Sequence, residues 1–148
     1  MISILLADDH AIVRRGLREL LQDSFAPVRV EEAETADQVA VALRSGAWDL
    51  VVLDLSLPGR SGLDVLKDVK AAYPKLPVLI LSMYPEEQFA VRALRAGAAG
   101  YVTKQSAPEV IAGAVRKALD GGRYVSPALA ERLASEVAGA AQKDPHEL

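Results

Sequence analysis

The chain has 148 residues, of which 51% are hydrophobic and 25% charged, a composition that suits a single globular domain rather than a disordered chain. The formal net charge of -3 gives no general attraction to nucleic acid or to an anionic membrane. The absence of cysteine excludes disulfides, thiolate metal sites and cysteine nucleophiles. Because the apolar N-terminus reaches Asp8 and Asp9 too soon for a signal peptide or a membrane span, we expect a soluble cytoplasmic protein without membrane association.

Short apolar runs alternate with amphipathic segments five times along the first 121 residues. The apolar runs predict strands over 2–7, 28–33, 50–54, 78–81 and 100–103. A helix is predicted after each strand, so the chain is expected to form an α/β fold with a parallel sheet and right-handed crossovers. The first, third and fourth runs are apolar throughout and suit the inside of the sheet, whereas the second and fifth suit its edges. We therefore predict a flavodoxin-like (βα)5 doubly wound parallel sheet with strand order 2-1-3-4-5.

Three hydroxyl residues are each followed, three positions later, by a residue that can complete a helix cap. These pairs are Thr35 with Gln38, Ser61 with Asp64, and Ser106 with Glu109. Pro85 and Pro108 are predicted in the first turns of the fourth and fifth helices.

An additional C-terminal helix is predicted to begin at Ser126-Pro127. Leu129, Leu133 and Val137 form a stripe on it, which we expect to pack within the chain or at a dimer surface. Residues 142–148 contain Asp-Pro and no apolar period, which is typical of a linker. The chain is thus divided into a domain over 1–121 and an extra helix with linker over 122–148.

Polar side chains stand at the ends of four predicted strands: Asp8 and Asp9, then Asp54, Ser82 and Lys104. The carboxyl ends of parallel strands meet at one edge of the sheet, so we expect these groups to converge. Three carboxylates repel one another, and a single lysine cannot balance them. A hard divalent ion such as Mg²⁺ resolves this conflict and leaves coordination positions for phosphoryl oxygens.

Asp54 stands alone at the end of a central strand, and it is the candidate nucleophile for an acyl phosphate; the alternative is an ordinary capping aspartate. Lys104 is a second cation for a phosphoryl group, and the Ser82 hydroxyl is a hydrogen-bond donor. His10, at a helix start, is interpreted as a packing or capping residue. Arg14, Arg15 and Arg18 are interpreted as a solvated helix face.

Four stretches carry a family resemblance: LLADDH, VVLDLSLPGRSGLDVL, VLILSMY and AGAAGYVTK. In this order and spacing they resemble the receiver domain of bacterial two-component response regulators, over residues 1–121. The Asp-Asp-His start and the stretch GGRYVSPALAERLA further resemble the NarL/FixJ family, in which a LuxR-type helix-turn-helix domain follows a linker. The resemblance implies that residues 122–148 lead toward an absent DNA-binding domain and that the chain is part of a longer regulator.

The resemblance also implies a role for each matching residue. Asp54 would be the phosphoacceptor, with Asp8, Asp9 and the backbone carbonyl of Ser56 as further ligands of Mg²⁺ or Mn²⁺. Lys104 would contact the phosphoryl group, Ser82 would move toward it, Tyr101 would change rotamer, and Ser56 and Tyr84 would tune the phosphate lifetime. Many receivers have a cis-proline after this lysine, but Gln105 follows here, and we expect a trans peptide.

The implied partners are a sensor histidine kinase, a second copy on activation, and DNA only through the absent domain. Catalysis would be limited to the chain's own phosphorylation and dephosphorylation, so it is not expected to be an ordinary enzyme. One alternative is a phosphate-independent pseudo-receiver that acts as an interaction module. Another is an aspartate-nucleophile phosphatase or a flavin or nucleotide binder, which is disfavoured because the chain lacks GxxxxGK[ST] and GxGxxG and has no second acid at Ser56.

Overall fold

The computed structural model describes residues 1–143, and side-chain surroundings for residues 1–139. The described residues form five strands and six helices in strict alternation until a final pair of helices. The elements are β1 (Ile2–Ala7), α1 (Ala11–Phe25), β2 (Val28–Ala33), α2 (Ala36–Ser45), β3 (Leu50–Asp54), α3 (Gly62–Ala72), β4 (Val78–Ser82), α4 (Glu86–Arg95), β5 (Gly100–Thr103), α5 (Pro108–Leu119) and α6 (Pro127–Lys143).

The five strands form one parallel sheet in the order β2-β1-β3-β4-β5, which confirms the predicted fold class and strand order. Every residue of β3 and β4 is buried, whereas β2 at the edge of the sheet contains both buried and exposed residues. This difference follows from the sequence, because a central parallel strand is covered on both faces and needs apolar side chains throughout.

Alternate residues of each strand pack into two hydrophobic cores, one on each face of the sheet. Leu5 and Leu53 point to the core that contains α2, α3 and α4, and Ile4 and Val52 point to the core that contains α1 and α5. All four side chains are at most 3% exposed. Burying each such side chain contributes on the order of 1.5–3 kcal/mol, so the strand ends are held on a rigid base.

The predicted helix starts are confirmed in part. Thr35 Oγ1 accepts a hydrogen bond from Gln38 N at 3.1 Å, and the Gln38 side chain accepts a hydrogen bond from Glu34 N. Ser61 is the N-cap residue of α3, as predicted, but its side chain makes no capping hydrogen bond to any described residue. Ser106 does not cap α5 either: Ala107 occupies the cap position, and the Ser106 hydroxyl lies 3.1 Å from that of Thr103.

The two prolines lie close to where the sequence places them. Pro108 is in the first turn of α5, as predicted. Pro85 is the N-cap residue of α4, one position before the first turn in which it is predicted.

The additional helix α6 is confirmed, and its first turns pack on α4. Leu129 is 2% exposed and joins the core on that side of the sheet, whereas Val137 is 70% exposed, so only the start of the predicted stripe is buried. The Ser126 hydroxyl donates to the Glu86 carboxylate at 2.7 Å and accepts from Leu129 N at 3.1 Å.

The helix continues through Lys143, so the linker prediction is wrong for Gln142 and Lys143. The rest of the predicted linker, 144–148, lies outside the described residues. Over residues 1–143, the structure contains no helix with the length and hydropathy needed to cross a lipid bilayer.

Candidate functional site

The strand register places Asp8 and Asp54 side by side at the carboxyl edge of the sheet. Ala7, the last residue of β1, pairs with Leu53, so the next residue of each strand is an aspartate. Each of the two aspartates is only 1% exposed. Two ionisable side chains buried this deeply need compensation from the residues around them.

Lys104 supplies part of that compensation. Its amino group lies 2.8 Å from Asp8 Oδ2 and 3.1 Å from Asp54 Oδ2, and its side chain is 4% exposed. The Lys104 main chain is held too, because its N–H donates to the Ser82 carbonyl at 2.8 Å. The end of β5 thus delivers a buried cation between the two buried acids.

The Lys104–Gln105 peptide is trans, as predicted.

His10 joins the same cluster, although its position in the sequence was interpreted as that of a packing or capping residue. It is the N-cap residue of α1, but its ring nitrogen Nδ1 lies 3.1 Å from Asp8 Oδ1 and 3.1 Å from Asp9 Oδ1. The same nitrogen is 4.0 Å from Asp54 Oδ2. The sequence signal for this placement is that His10 directly follows the paired acids.

The acid cluster fits a hard divalent cation. Asp8, Asp9, His10 and Asp54 each offer a ligand atom, and these atoms lie within 4.8 Å of one another. Asp8 Oδ2 is buried and accepts no hydrogen bond from any residue within 1–139, and its charged neighbour is the Lys104 amino group at 2.8 Å. Clustered carboxylate oxygens are the donor set that Mg²⁺ prefers in proteins.

The carboxylate of Asp54 is oriented by its own loop. Ser56 N donates to Asp54 Oδ1 at 3.1 Å, while the Ser56 side chain is exposed. Burial raises the pKa of Asp54, and the Ser56 hydrogen bond and the Lys104 charge oppose this shift. The Asp54 carboxyl group is therefore shielded from water and held in a fixed orientation beside the Lys104 amino group.

Ser82, Tyr84 and Tyr101 form a chain of contacts that leads away from the acids. Ser82 and Tyr101 are both 0% exposed. Ser82 Oγ accepts from Tyr84 N at 3.0 Å, and the Tyr101 hydroxyl donates to the Tyr84 carbonyl at 2.8 Å. Burial raises the pKa of Tyr101, so its hydroxyl stays protonated and remains a donor. The Tyr84 backbone therefore connects a residue at the site to a residue of β5.

The Tyr84 ring lies outside this chain of contacts. It is 41% exposed and packs edge-on against Phe89, with 5.0 Å between ring centroids.

The solvated-face interpretation is wrong for Arg14, which is only 8% exposed, whereas Arg15 is exposed as expected. Arg14 bonds to the main chain of Asp8, to Glu32 near the end of β2 and to Glu34 in the turn that follows. These acids, Glu32 and Glu34, are close together in the sequence, but the pattern of α1 alone cannot pair them with Arg14.

Comparison with known proteins agrees with this geometry. Residues 4–116 match the family described as the response regulator receiver domain. The chain is 33% identical to the response regulator UvrY of Escherichia coli over 134 residues, which cover 90% of this chain and 62% of UvrY. It is 34% identical to the response regulator GacA of Pseudomonas aeruginosa, covering 90% of this chain and 63% of GacA.

Among solved structures, a LuxR-family two-component response regulator from Aurantimonas sp. has a TM-score of 0.82 and 36% identity, covering 92% of this chain and 97% of that one. The chain therefore belongs to the response regulator receiver domain family, and the resemblance carried by the four sequence motifs is confirmed. It spans about 62% of the length of UvrY.

Proposed function

We propose that the chain is a phosphorylation switch in which Asp54 accepts a phosphoryl group from the phosphohistidine of a sensor histidine kinase. The observation that supports this most strongly is the pairing of a buried Asp54 carboxylate with the Lys104 amino group, 3.1 Å away, at the edge of an acid cluster. A carboxylate with a fixed cation beside it is placed to attack phosphorus while the charge on the leaving oxygens is balanced.

In the proposed reaction an oxygen of Asp54 attacks the phosphorus atom, the bond from phosphorus to the donor's histidine nitrogen breaks, and an acyl phosphate forms. Lys104 exchanges its contact with Asp54 Oδ2 for a phosphoryl oxygen. Receiver domains bind Mg²⁺ at an acidic pocket. A Mg²⁺ or Mn²⁺ ion held by Asp8, Asp9, Asp54 and the Ser56 carbonyl would offset the phosphoryl charge in this chain.

We further propose that Ser82 and Tyr101 transmit the modification. If the Ser82 hydroxyl turns to the phosphoryl group, Tyr84 N loses its acceptor, and the Tyr84 carbonyl and its bond from the Tyr101 hydroxyl shift with it. New charge-assisted hydrogen bonds at the phosphate bias an equilibrium between two packings of this region. Ser56 and Tyr84, next to the site, would tune the phosphate lifetime.

The remaining parts of the proposal follow from the family and from the length of the relatives. Residues 1–121 would be the receiver and 122–148 a helix and linker toward a DNA-binding domain, with a homodimer formed on activation. The reaction would modify the chain itself and would not turn over a separate substrate. Because the phosphoryl donor would be made from ATP, the protein would act in the cytoplasm.

Incubation with acetyl phosphate and Mg²⁺, followed by intact mass spectrometry, tests the central step. We expect the wild type to gain the mass of one phosphoryl group, Asp54→Asn to gain none, and Asp23→Asn, which changes an exposed aspartate, to behave as wild type. Phosphorylation of Asp54→Asn at the wild-type level would overturn the assignment of Asp54. A wild type that gains nothing would instead favour the pseudo-receiver.

A further inference from the structure

Arg14 is a buried charged residue that the proposed phosphoryl transfer does not use. It lies near the start of α1, and its side chain is only 10% exposed. A guanidinium is costly to bury unless its donors are satisfied, so its contacts show what it is held for.

The Arg14 guanidinium donates in three directions. Nη1 donates to the backbone carbonyl of Asp8 at 2.6 Å, Nε to Glu32 Oε1 at 2.7 Å, and Nη2 to Glu34 Oε1 at 2.8 Å. These acceptors belong to three segments: the turn after β1, the end of β2, and the turn before α2. A planar guanidinium presents these donors on three separate nitrogens in a rigid fork, and a lysine ammonium, whose donors share one nitrogen, cannot reproduce it.

Glu32, one of the two acids that Arg14 contacts, is itself held in place. Arg18 Nε donates to Glu32 Oε2 at 2.9 Å, so both oxygens of Glu32 are bonded. The hydrogen bond from Arg14 lowers the pKa of Glu32, which keeps that carboxylate charged at neutral pH. Arg14 is thus fixed to β2 on one side and reaches the acid cluster with its remaining donor.

That remaining bond falls on the main chain from which the acid cluster projects. The turn between β1 and α1 is only three residues long and carries Asp8, Asp9 and His10. Asp8 N donates to the Ala33 carbonyl at 3.0 Å, and Arg14 binds the Asp8 carbonyl, so both polar groups of the Asp8 backbone are tied to their surroundings. The directions of the Asp8 and Asp9 carboxylates depend on this backbone.

We infer that Arg14 is a positioning residue for the acid cluster: by holding the Asp8 carbonyl, it fixes the convergence of the Asp8 and Asp9 carboxylates on the cation and thereby sets the affinity for Mg²⁺. The inference rests on the proposed function, since it concerns the same site. Residues that hold metal ligands from outside the coordination sphere typically change metal affinity by about 10–100-fold when replaced.

A purely structural role predicts a different result. In that case Arg14 ties α1 to β2, and its loss lowers the free energy of unfolding but leaves the dissociation constant for Mg²⁺ of the folded protein unchanged. The two roles are therefore separated by measuring Mg²⁺ binding under conditions in which each variant is folded.

The test compares Arg14→Gln with Arg15→Gln, which removes the same charge from an exposed neighbour on the same helix. Isothermal titration with Mg²⁺, at a temperature where circular dichroism shows both variants folded, should give a dissociation constant raised about tenfold or more for Arg14→Gln and within about twofold of wild type for Arg15→Gln. The rate of phosphorylation by acetyl phosphate should require correspondingly more Mg²⁺ in Arg14→Gln.

Arg14→Lys keeps the positive charge and provides a second variant if Arg14→Gln does not fold. We expect its affinity for Mg²⁺ to fall between those of wild type and Arg14→Gln. A folded Arg14 variant that binds Mg²⁺ as wild type does would overturn the inference and leave the proposed function standing. A wild type that neither binds Mg²⁺ nor accepts a phosphoryl group would overturn the proposed function and this inference with it.

Discussion

The amino group of Lys104 lies 3.1 Å from Oδ2 of Asp54, although 50 residues separate them in the sequence. Asp54 ends β3 and Lys104 follows β5, two strands that β4 separates. The lysine therefore crosses the end of β4 to reach the carboxylate, and passes Ser82 on its way. This arrangement makes one side chain the partner of both buried acids, because the same amino group is also 2.8 Å from Asp8 Oδ2.

Replacing Lys104 with methionine is expected to slow the proposed phosphorylation of Asp54. Removing one donor aimed at developing charge typically costs about 10²–10³ in rate, and methionine keeps much of the length of lysine and none of its charge. The initial rate with acetyl phosphate and Mg²⁺, followed by intact mass, measures the effect. Lys67→Met, at an exposed position of α3, is the control and should react at the wild-type rate. Equal rates for the two variants would mean that the charge of Lys104 does not assist the reaction.

Gly62→Ala is expected to destabilise the fold by about 1–3 kcal/mol or more, because a new Cβ atom meets the backbone of the loop that follows Asp54. It would lie 2.3 Å from Leu55 Cα and 2.7 Å from the Leu55 carbonyl oxygen, and neither atom belongs to a flexible side chain. Gly62 N also donates to that carbonyl at 3.0 Å, so the approach is held from both sides.

Gly16→Ala is the matched control, since nothing lies within 4 Å of a Cβ atom at this position of α1. It should stabilise the protein by about 0.5–1 kcal/mol through helix propensity. Urea denaturation of both variants gives the comparison. A Gly62→Ala variant as stable as wild type would mean that the loop after Asp54 moves freely.

The fold and the acid site were predictable from the sequence because both depend on strands, and each strand is recognisable from its own short apolar run. The run ending at Asp54 is apolar enough to be a central strand, and a polar residue at the end of such a strand lies at the edge of the sheet where sites form. Once the strand order is known, Asp8 and Lys104 follow from the same rule.

Arg14 and Ser106 show where local patterns stop being informative. Arg14 has the helical spacing of a solvated residue, and it is buried only because the sheet brings the end of β2 beside α1. Ser106 has the spacing of a capping box, but its hydroxyl lies within hydrogen-bonding distance of Thr103 at the end of β5. In both cases a tertiary partner decides the outcome, and the spacing within one helix contains no information about that partner.

Tyr101→Phe is expected to destabilise the protein by about 1 kcal/mol, since it removes the hydrogen bond to the Tyr84 carbonyl without changing the shape of the core. The Tyr101 side chain is fully buried, and its hydroxyl makes that bond with a length of 2.8 Å.

The proposed switch adds a second expectation, namely that the exposed Tyr84 ring changes its environment on phosphorylation in wild type and less so in Tyr101→Phe. Urea denaturation measures the first effect and NMR of the Tyr84 ring the second. Tyr124→Phe, at a partly buried position beyond α5, serves as the comparison for loss of a hydroxyl.

The stability of the fold is expected to fall on acidification through the pair of Arg14 and Glu32. The hydrogen bond from Arg14 lowers the pKa of Glu32 below its ordinary value of 4.5. A carboxyl group whose pKa is lower in the folded state stabilises the fold at pH values above its unfolded pKa, and this contribution is lost as the pH falls through the folded pKa. The loss therefore begins near pH 4.5 and grows below it.

Glu32→Gln isolates this effect, because it keeps an acceptor for Arg14 and does not titrate. Urea denaturation at a series of pH values, without Mg²⁺, should show that wild type is the more stable of the two at neutral pH and that the difference shrinks as the pH falls below about 4.5. Glu19→Gln, at an exposed position on α1, should show no comparable change in its difference from wild type. A wild-type advantage over Glu32→Gln that persists unchanged at low pH would mean that the charge of Glu32 does not stabilise the fold, and that Arg14 is held by hydrogen-bond geometry alone.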